Sequence, residues 1–295
     1  MEENGKSSNN KITSVCEKLP YIKLPGGWRC TETKGTGPFV TRAIFKNLED
    51  KLILWNSRYH RKHHFKLDIS RGSTLWAPGA VGWWIGILFA IGAFFFALGS
   101  TPGYLNVVGS TYDAITFFTG SIFFTSAAYL QYIESVNSPR SISGFLKGKF
   151  YFFTWEPKRI DWWATMVQFV GTLLFNINTF NAIRSNLSLT QINTLLWGPD
   201  IYGSICFIIA SALAWLEVSH AFWSWNPRKF SWWIAIFNII GSLAFGISAA
   251  AAYIVPATGL PKNEILVNLG TFIGAICFLI GGLLLLPERT KEKND

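Results

Sequence analysis

Three glutamates, Glu134, Glu217 and Glu288, each stand fourteen residues after a glycine of an apolar tract (Gly120, Gly203, Gly274). A carboxylate at the edge of a membrane-length tract has two uses. It pairs with a cation and fixes one element against another, or it takes up a proton or cation at the mouth of a path. A second set runs through Asp161, Thr165, Gln168, Thr172, Asn176 and Thr179, at intervals of three or four, with Asn178 on the flank. That spacing is one helical stripe. Its amides and hydroxyls either bond across to neighbouring helices, at under about 1 kcal/mol each, or line a polar path to which Asn238 of a later tract contributes. Gln168, Thr172, Asn176, Asn178, Asn238, Glu134, Glu217 and Glu288 therefore make up the candidate ion or solute path.

The elements that must position these residues are apolar tracts. Six are legible, at about 82–102, 113–134, 161–183, 199–219, 231–254 and 264–286. Each has the length that crosses roughly 30 Å of hydrocarbon. Half of the 295 residues are hydrophobic and only 15% are charged, below the roughly 25% usual for soluble domains. The formal charge of +9 does not point to nucleic acid, because of where the cations lie. With a cytoplasmic N-terminus, 24 of the 26 Lys and Arg fall on the cytoplasmic side, and only Arg184 and Lys262 do not. This is the positive-inside bias, and it puts both termini inside. No apolar leader core follows Met1, so no cleavable signal is expected, and the predicted location is the plasma membrane, as a multi-pass protein.

The tracts fall into three copies of one frame, W-x-P-x4-W-W, at "WAPGAVGWW", "WEPKRIDWW" and "WNPRKFSWW". Eight residues after each Trp pair comes Gly92, Gly171 or Gly241, and four later Phe96, Phe175 or Phe245. In the second tract of each copy, Gly120, Gly203 and Gly274 are followed at the same interval by Phe124, Phe207 and Phe278. Repeats of a fixed unit whose connectors alone vary in length predict three tandem helical hairpins, 76–134, 155–217 and 225–288. The expected fold is an all-α integral membrane protein of six transmembrane helices in a pseudo-three-fold bundle, with a short cytoplasmic tail at 289–295. The Pro of each frame halts any helix entering the membrane, and Gly82, Asp161 and Ser231 are the expected N-caps. Trp76, Trp83, Trp84, Trp155, Trp162, Trp163, Trp225, Trp232 and Trp233 suit the membrane interface, and Lys158, Arg159, Arg228 and Lys229 suit its phosphates. The same four cations, with Arg289, are the expected partners of the glutamates, unless these form a cation or proton site.

Residues 1–74 are a basic cytoplasmic segment. Ile44, Phe45, Leu48, Leu52 and Trp55 predict an amphipathic surface helix over 41–57. "HRKHHFK" reads as a basic patch for anionic inner-leaflet lipid. His60 and His64 lie one helical turn apart, yet with no acid or thiol cluster beside them no metal site is expected. Cys16, Cys30, Cys206 and Cys277 have no zinc spacing. No G-x-S-x-G, HExxH or Walker loop occurs, so no enzyme and no cofactor are expected. His220, three residues after Glu217, offers either a proton acceptor or an ordinary imidazole at a helix end.

"GSIFFTSAAYLQYIE", "GSICFIIASALAWLE" and "GAICFLIGGLLLLPE" resemble the YrhK-type membrane proteins, small hydrophobic domains in which a Gly-rich helix closes near a Glu. The likeness covers the even-numbered helices and implies a multi-pass membrane protein, with no catalytic residues. Two functional readings stand: a non-enzymatic structural, scaffolding or regulatory membrane protein, and a transporter or channel for a small solute or cation. The sequence leaves the oligomeric state open.

Overall fold

The computed structural model describes residues 22–64, 75–140 and 149–291. Within the basic segment, strand β1 (Arg29–Lys34) is followed by β2 (Arg42–Lys46) and β3 (Leu52–Asn56), an antiparallel sheet in that order. Residues 41–57 are thus strands, correcting the surface helix expected there. Thr41, Ala43 and Phe45 are buried while Arg42, Ile44 and Lys46 are only partly covered, the period-two pattern of a sheet with one covered face. Asn47 turns the chain, its side-chain oxygen accepting from the backbone N–H of Glu49 and Lys51 at 2.9 and 2.8 Å. Leu48 and Leu52, part of the helical stripe in the sequence, stand exposed at this turn. Ile22, Cys30, Ala43, Phe45 and Trp55 form the small core. Helix α1 (Ser57–His64) leaves β3 without a linker.

Apart from this N-terminal sheet and a short hairpin noted below, the molecule is mostly helical (64%). α2 (Val81–Gly99) is joined through the short α3 (Tyr104–Val108) to α4 (Ser110–Val136). Next come α5 (Ile160–Ala182), α6 (Leu189–Ser219, π-helical over Ile192–Trp197) and α7 (Phe230–Ala251). After the hairpin of β4 (Ile254–Val255) and β5 (Leu260–Pro261) comes α8 (Glu264–Lys291). Among the described residues α2, α6, α7 and α8 are long and apolar enough to cross a membrane. α4 and α5 have similar lengths but interrupt their apolar surfaces with residues such as Gln131, Gln168 and Asn176.

Each long helix packs on the next in sequence, and α8 closes on α2, so the six make a ring. Glycine sets the closest approaches. A Cβ on Gly92 would meet the Gly120 carbonyl at 2.9 Å, one on Gly171 the Gly203 carbonyl at 3.1 Å, and one on Gly241 the Gly274 carbonyl at 3.1 Å. The reverse contacts are as tight, so each pair of backbones crosses with no room for a side chain, as close-packed membrane helices do. Gly86 and Gly282 repeat this where α8 meets α2.

The tryptophan frame is a folded entry to α2, α5 and α7. The first indole of each pair donates to the carbonyl eight residues back: Trp83 to Leu75, Trp162 to Thr154 and Trp232 to Ser224, at 2.8–3.1 Å. The second donates to the carbonyl of the frame's own proline, Pro78, Pro157 or Pro227, each at 2.9 Å. Trp76, Trp155 and Trp225 pack edge-on against the first of the pair. Trp83, Trp162 and Trp232 are therefore buried in protein, while Trp76, Trp84, Trp155, Trp225 and Trp233 are exposed and Trp163 is half-buried. The helices begin earlier than the sequence suggests, with Ala80, Arg159 and Lys229 as N-caps and no side-chain cap. A turn ends there, those residues donating backbone N–H to Ala77, Glu156 and Asn226. Gly82, Asp161 and Ser231 consequently lie within the first helical turn.

Candidate functional site

α1 carries Arg58, Arg61 and Lys62 at i, i+3 and i+4, one face of a single helical turn and a half. That face enters the end of the ring where the three glutamates stand. Arg61 donates Nη1 and Nη2 to the two oxygens of Glu217 at 3.0 and 3.2 Å. Its Nη1 also lies 3.0 Å from Asp161 Oδ2, and its Nε 3.8 Å from Glu134 Oε2. One guanidinium thus meets carboxylates from α4, α5 and α6. Arg58 takes the carboxylate of α8, Nε to Glu288 Oε1 at 2.6 Å and Nη2 to Oε2 at 3.1 Å, with Lys62 Nζ 3.3 Å from Oε2. Ser57 adds a hydroxyl donor to Glu217 at 2.8 Å.

Arg61, Glu134, Asp161 and Glu217 are 2–3% exposed at their side chains. Burial works against charge on Arg61, yet Glu217, Asp161 and Glu134 outweigh it and hold its pKa above the ordinary arginine value. Arg58 behaves the same way, desolvation being overcome by Glu288. On the α4–α5 side of this lock lies a second set of pairs. Arg159 donates to Asp161, to Glu156 at 2.7 Å, to the Ser135 carbonyl at 3.0 Å and to Ser138 Oγ at 2.9 Å. Arg140 also pairs with Glu156.

The glutamates' partners therefore differ from those expected. Lys158 and Arg228 are exposed, Arg159 is engaged by Asp161 and Glu156, and Lys229 makes no ion pair among the described residues. The Arg289 side chain lies outside the described residues, as do those of His63 and His64. The reason is geometric: α4, α6 and α8 end beneath the N-terminal sheet, so the nearest cations come from α1. The signal in the sequence was the i, i+3, i+4 spacing of Arg58, Arg61 and Lys62, obscured by a reading of "HRKHH" as a lipid patch.

His220 fixes the sheet to the ring. It caps α6 in the left-handed conformation (φ 54°). Asn56 Oδ1 accepts the Tyr59 N–H at 3.2 Å, which turns its amide nitrogen to His220 Nε2 at 2.9 Å. Nδ1 then carries the proton and donates to Thr41 Oγ1 at 2.8 Å. Burial, reinforced by Arg42, Lys229 and Lys34 against the pull of Glu217, lowers its pKa to about 4. The imidazole is a neutral clasp. His60 does comparable work, its Nε2 at 3.0 Å from the Pro139 carbonyl.

The remaining path candidates divide. Gln168 and Asn238 line a chamber of about 40 Å³ with Gln131, roofed by Arg58 and floored by Phe89 and Phe278. That volume holds a few waters at most. Thr172 and Thr179 are buried helix-packing hydroxyls, Thr179 bonding Ser121 of α4 at 2.9 Å. Asn178 bonds Asp200, and Asn176 leaves its Oδ1 buried without a hydrogen bond. Neither lines the chamber.

Beyond it the six frame phenylalanines meet. Phe96, Phe175 and Phe245 form a triangle with centroids 5.8–6.4 Å apart. Phe124, Phe207 and Phe278 form another at 5.6–6.3 Å. Within each Gly-paired couple of helices the two rings stand 5.1–5.3 Å apart, normal aromatic contact. All six are buried. No family model matches the chain, and neither a curated protein nor a solved structure matches it.

Proposed function

We propose that this chain is a six-span integral membrane protein, three helical hairpins about a pseudo-three-fold axis, with a structural, scaffolding or regulatory role rather than a catalytic one. The observation that carries this reading is the double closure of the axis. Six buried rings fill its middle, and the Arg58–Arg61 lock seals the end beneath the sheet. Six crossings, rather than four, are supported by exposed apolar side chains on every long helix: Phe94, Ile122, Leu173, Ile209, Leu243 and Ile273. Such a belt is unfavourable in water and natural in lipid. The two phenylalanine triangles support the three-fold arrangement. The distribution of Lys and Arg supports a cytoplasmic sheet domain and inner-leaflet contact with anionic lipid, at the plasma membrane. The YrhK-type likeness of α4, α6 and α8 points the same way, to a multi-pass membrane domain.

Reconstitution into liposomes tests it. The intact protein is expected to pass no ion or small polar solute down an imposed gradient. A second reading, transport through a gated path, is favoured by one feature, the polar chamber between the two closures. It requires that the lock open. Flux in the intact protein, abolished by Glu217→Gln, would establish transport; silence in both the intact protein and Arg58→Gln/Arg61→Gln sinks it.

A further inference from the structure

The three tryptophan frames differ in one chemical respect. In the second, the N-cap cation Arg159 is held by two carboxylates of its own frame, Glu156 and Asp161. In the third the backbone is the same, φ −100° and ψ 133° at Lys229 against φ −108° and ψ 128° at Arg159. The cation is kept there, but the two acids are replaced by Asn226 and Ser231. The first frame has Ala77, Ala80 and Gly82 at those places and needs neither. The third frame therefore carries the N-cap cation without a built-in anion beside it.

A cavity of about 220 Å³ lies at that spot, between the third frame, the sheet and α1. Arg42, Arg58, Lys62 and Lys229 line it against a single carboxylate, Glu288, a formal excess of three positive charges. Glu288 is already taken by Arg58 and Lys62. Among the described residues Arg42, like Lys229, makes no ion pair. Asn56, Ser224 and Asn226 add neutral hydrogen-bonding groups, and the neutral His220 completes the wall. Two unpaired cations, amide and hydroxyl groups, and no free carboxylate are the donor set for a tetrahedral oxyanion. One wall is the ring of Trp232, which packs at 6.2 Å on Trp215. Trp215 lines an apolar groove of about 360 Å³ between α6 and α7.

We infer that the cavity between the third tryptophan frame and the N-terminal sheet binds a phosphate group, held by Lys229 and Arg42 where the second frame holds Arg159 with its own acids. The apolar groove on the other side of the Trp232–Trp215 contact favours a phospholipid headgroup as the source, and that arm alone rests on the membrane reading proposed above. A soluble phosphate needs no membrane.

The test uses the full chain in neutral detergent with inorganic phosphate, and in nanodiscs of phosphatidylglycerol or phosphatidylcholine, read as thermal midpoint. A lipid site predicts a higher midpoint in phosphatidylglycerol than in phosphatidylcholine and no saturable response to phosphate; a soluble-phosphate site predicts the reverse. Either pattern carries the inference when Lys229→Gln weakens the response roughly tenfold or more, as loss of a charged hydrogen bond does. The double variant Asn226→Glu/Ser231→Asp rebuilds the second frame's acids, so it should fold with an unchanged or higher midpoint and lose the response. An undiminished response in that variant, or none to any probe in the intact protein, overturns the site. A soluble protein that still answers to phosphate would overturn the membrane reading alone.

Discussion

Arg61 is surrounded by three carboxylates, and its removal leaves Glu134, Asp161 and Glu217 facing one another out of water. Arg61→Met should therefore destabilise the protein by about 3–5 kcal/mol, the range for breaking a buried pair from one side. Chemical denaturation or the thermal midpoint measures it. Arg61→Lys keeps the charge but not the two-pronged contact with Glu217, and should recover only part of the loss. Arg228→Ala, at an exposed position of the third frame, should move stability by about 0.5 kcal/mol or less. His220 gives the residue scale a pH dependence. Its folded pKa, about 4, lies below the ordinary value of 6.5, so the neutral form is favoured when the sheet is docked. The docking free energy is then complete above pH 6.5 and declines as pH falls from 6.5 to about 4. Glu217, Arg42, Lys229 and Lys34 are the charges that face the ring. Limited proteolysis near Asn56 should accelerate across that window, and His220→Gln, which does not titrate, should flatten the profile.

At the scale of elements, each hairpin depends on backbone contact that only glycine permits. Gly171→Val places branched carbons where Cys206, Phe207 and the Gly203 carbonyl already stand within 2.9–3.1 Å. Folded yield and thermal midpoint should both fall, by the 1–3 kcal/mol typical of overpacking or more. Gly26→Ala, with nothing within 4 Å, should be silent, and equal behaviour of the two variants would refute the crossing. The glycine frame is legible in the sequence, because its offsets recur three times. Residues 41–57 misled for a physical reason. Ile44, Phe45, Leu48, Leu52 and Trp55 satisfy a helical spacing, while Thr41, Ala43 and Phe45 satisfy a strand spacing in the same stretch. The Asn47 turn decides between them by reversing the chain. The tryptophan frame was legible as a helix entry but not as a set of indole-to-carbonyl bonds, since a spacing of eight across a turn has no meaning in an unfolded chain.

For the whole molecule, the ring and its double closure make one prediction about sidedness. Epitope tags at the two chain ends should be reached from the same compartment, because an even number of crossings returns the chain to its starting side; opposite accessibility would end the six-span proposal. The acids of the lock could be read from sequence, and so could their shared depth. Which cation meets which acid could not, since Arg58 and Glu288 are 230 positions apart and Arg61 and Glu217 are 156 apart. Only the ring's closure and the seating of the sheet bring them together.

That separation orders events during synthesis. The ribosome delivers Arg58 and Arg61 early, and domains commonly fold as they emerge. Glu217 arrives with the fourth long helix, however, and Glu288 only with the last turn of the sixth. Until Glu288 has been made, the basic helix has no complete set of counterions to seat against. Its seating thus waits until all six long helices have been made, and a chain cut short before Glu288 leaves Arg58 without its carboxylate.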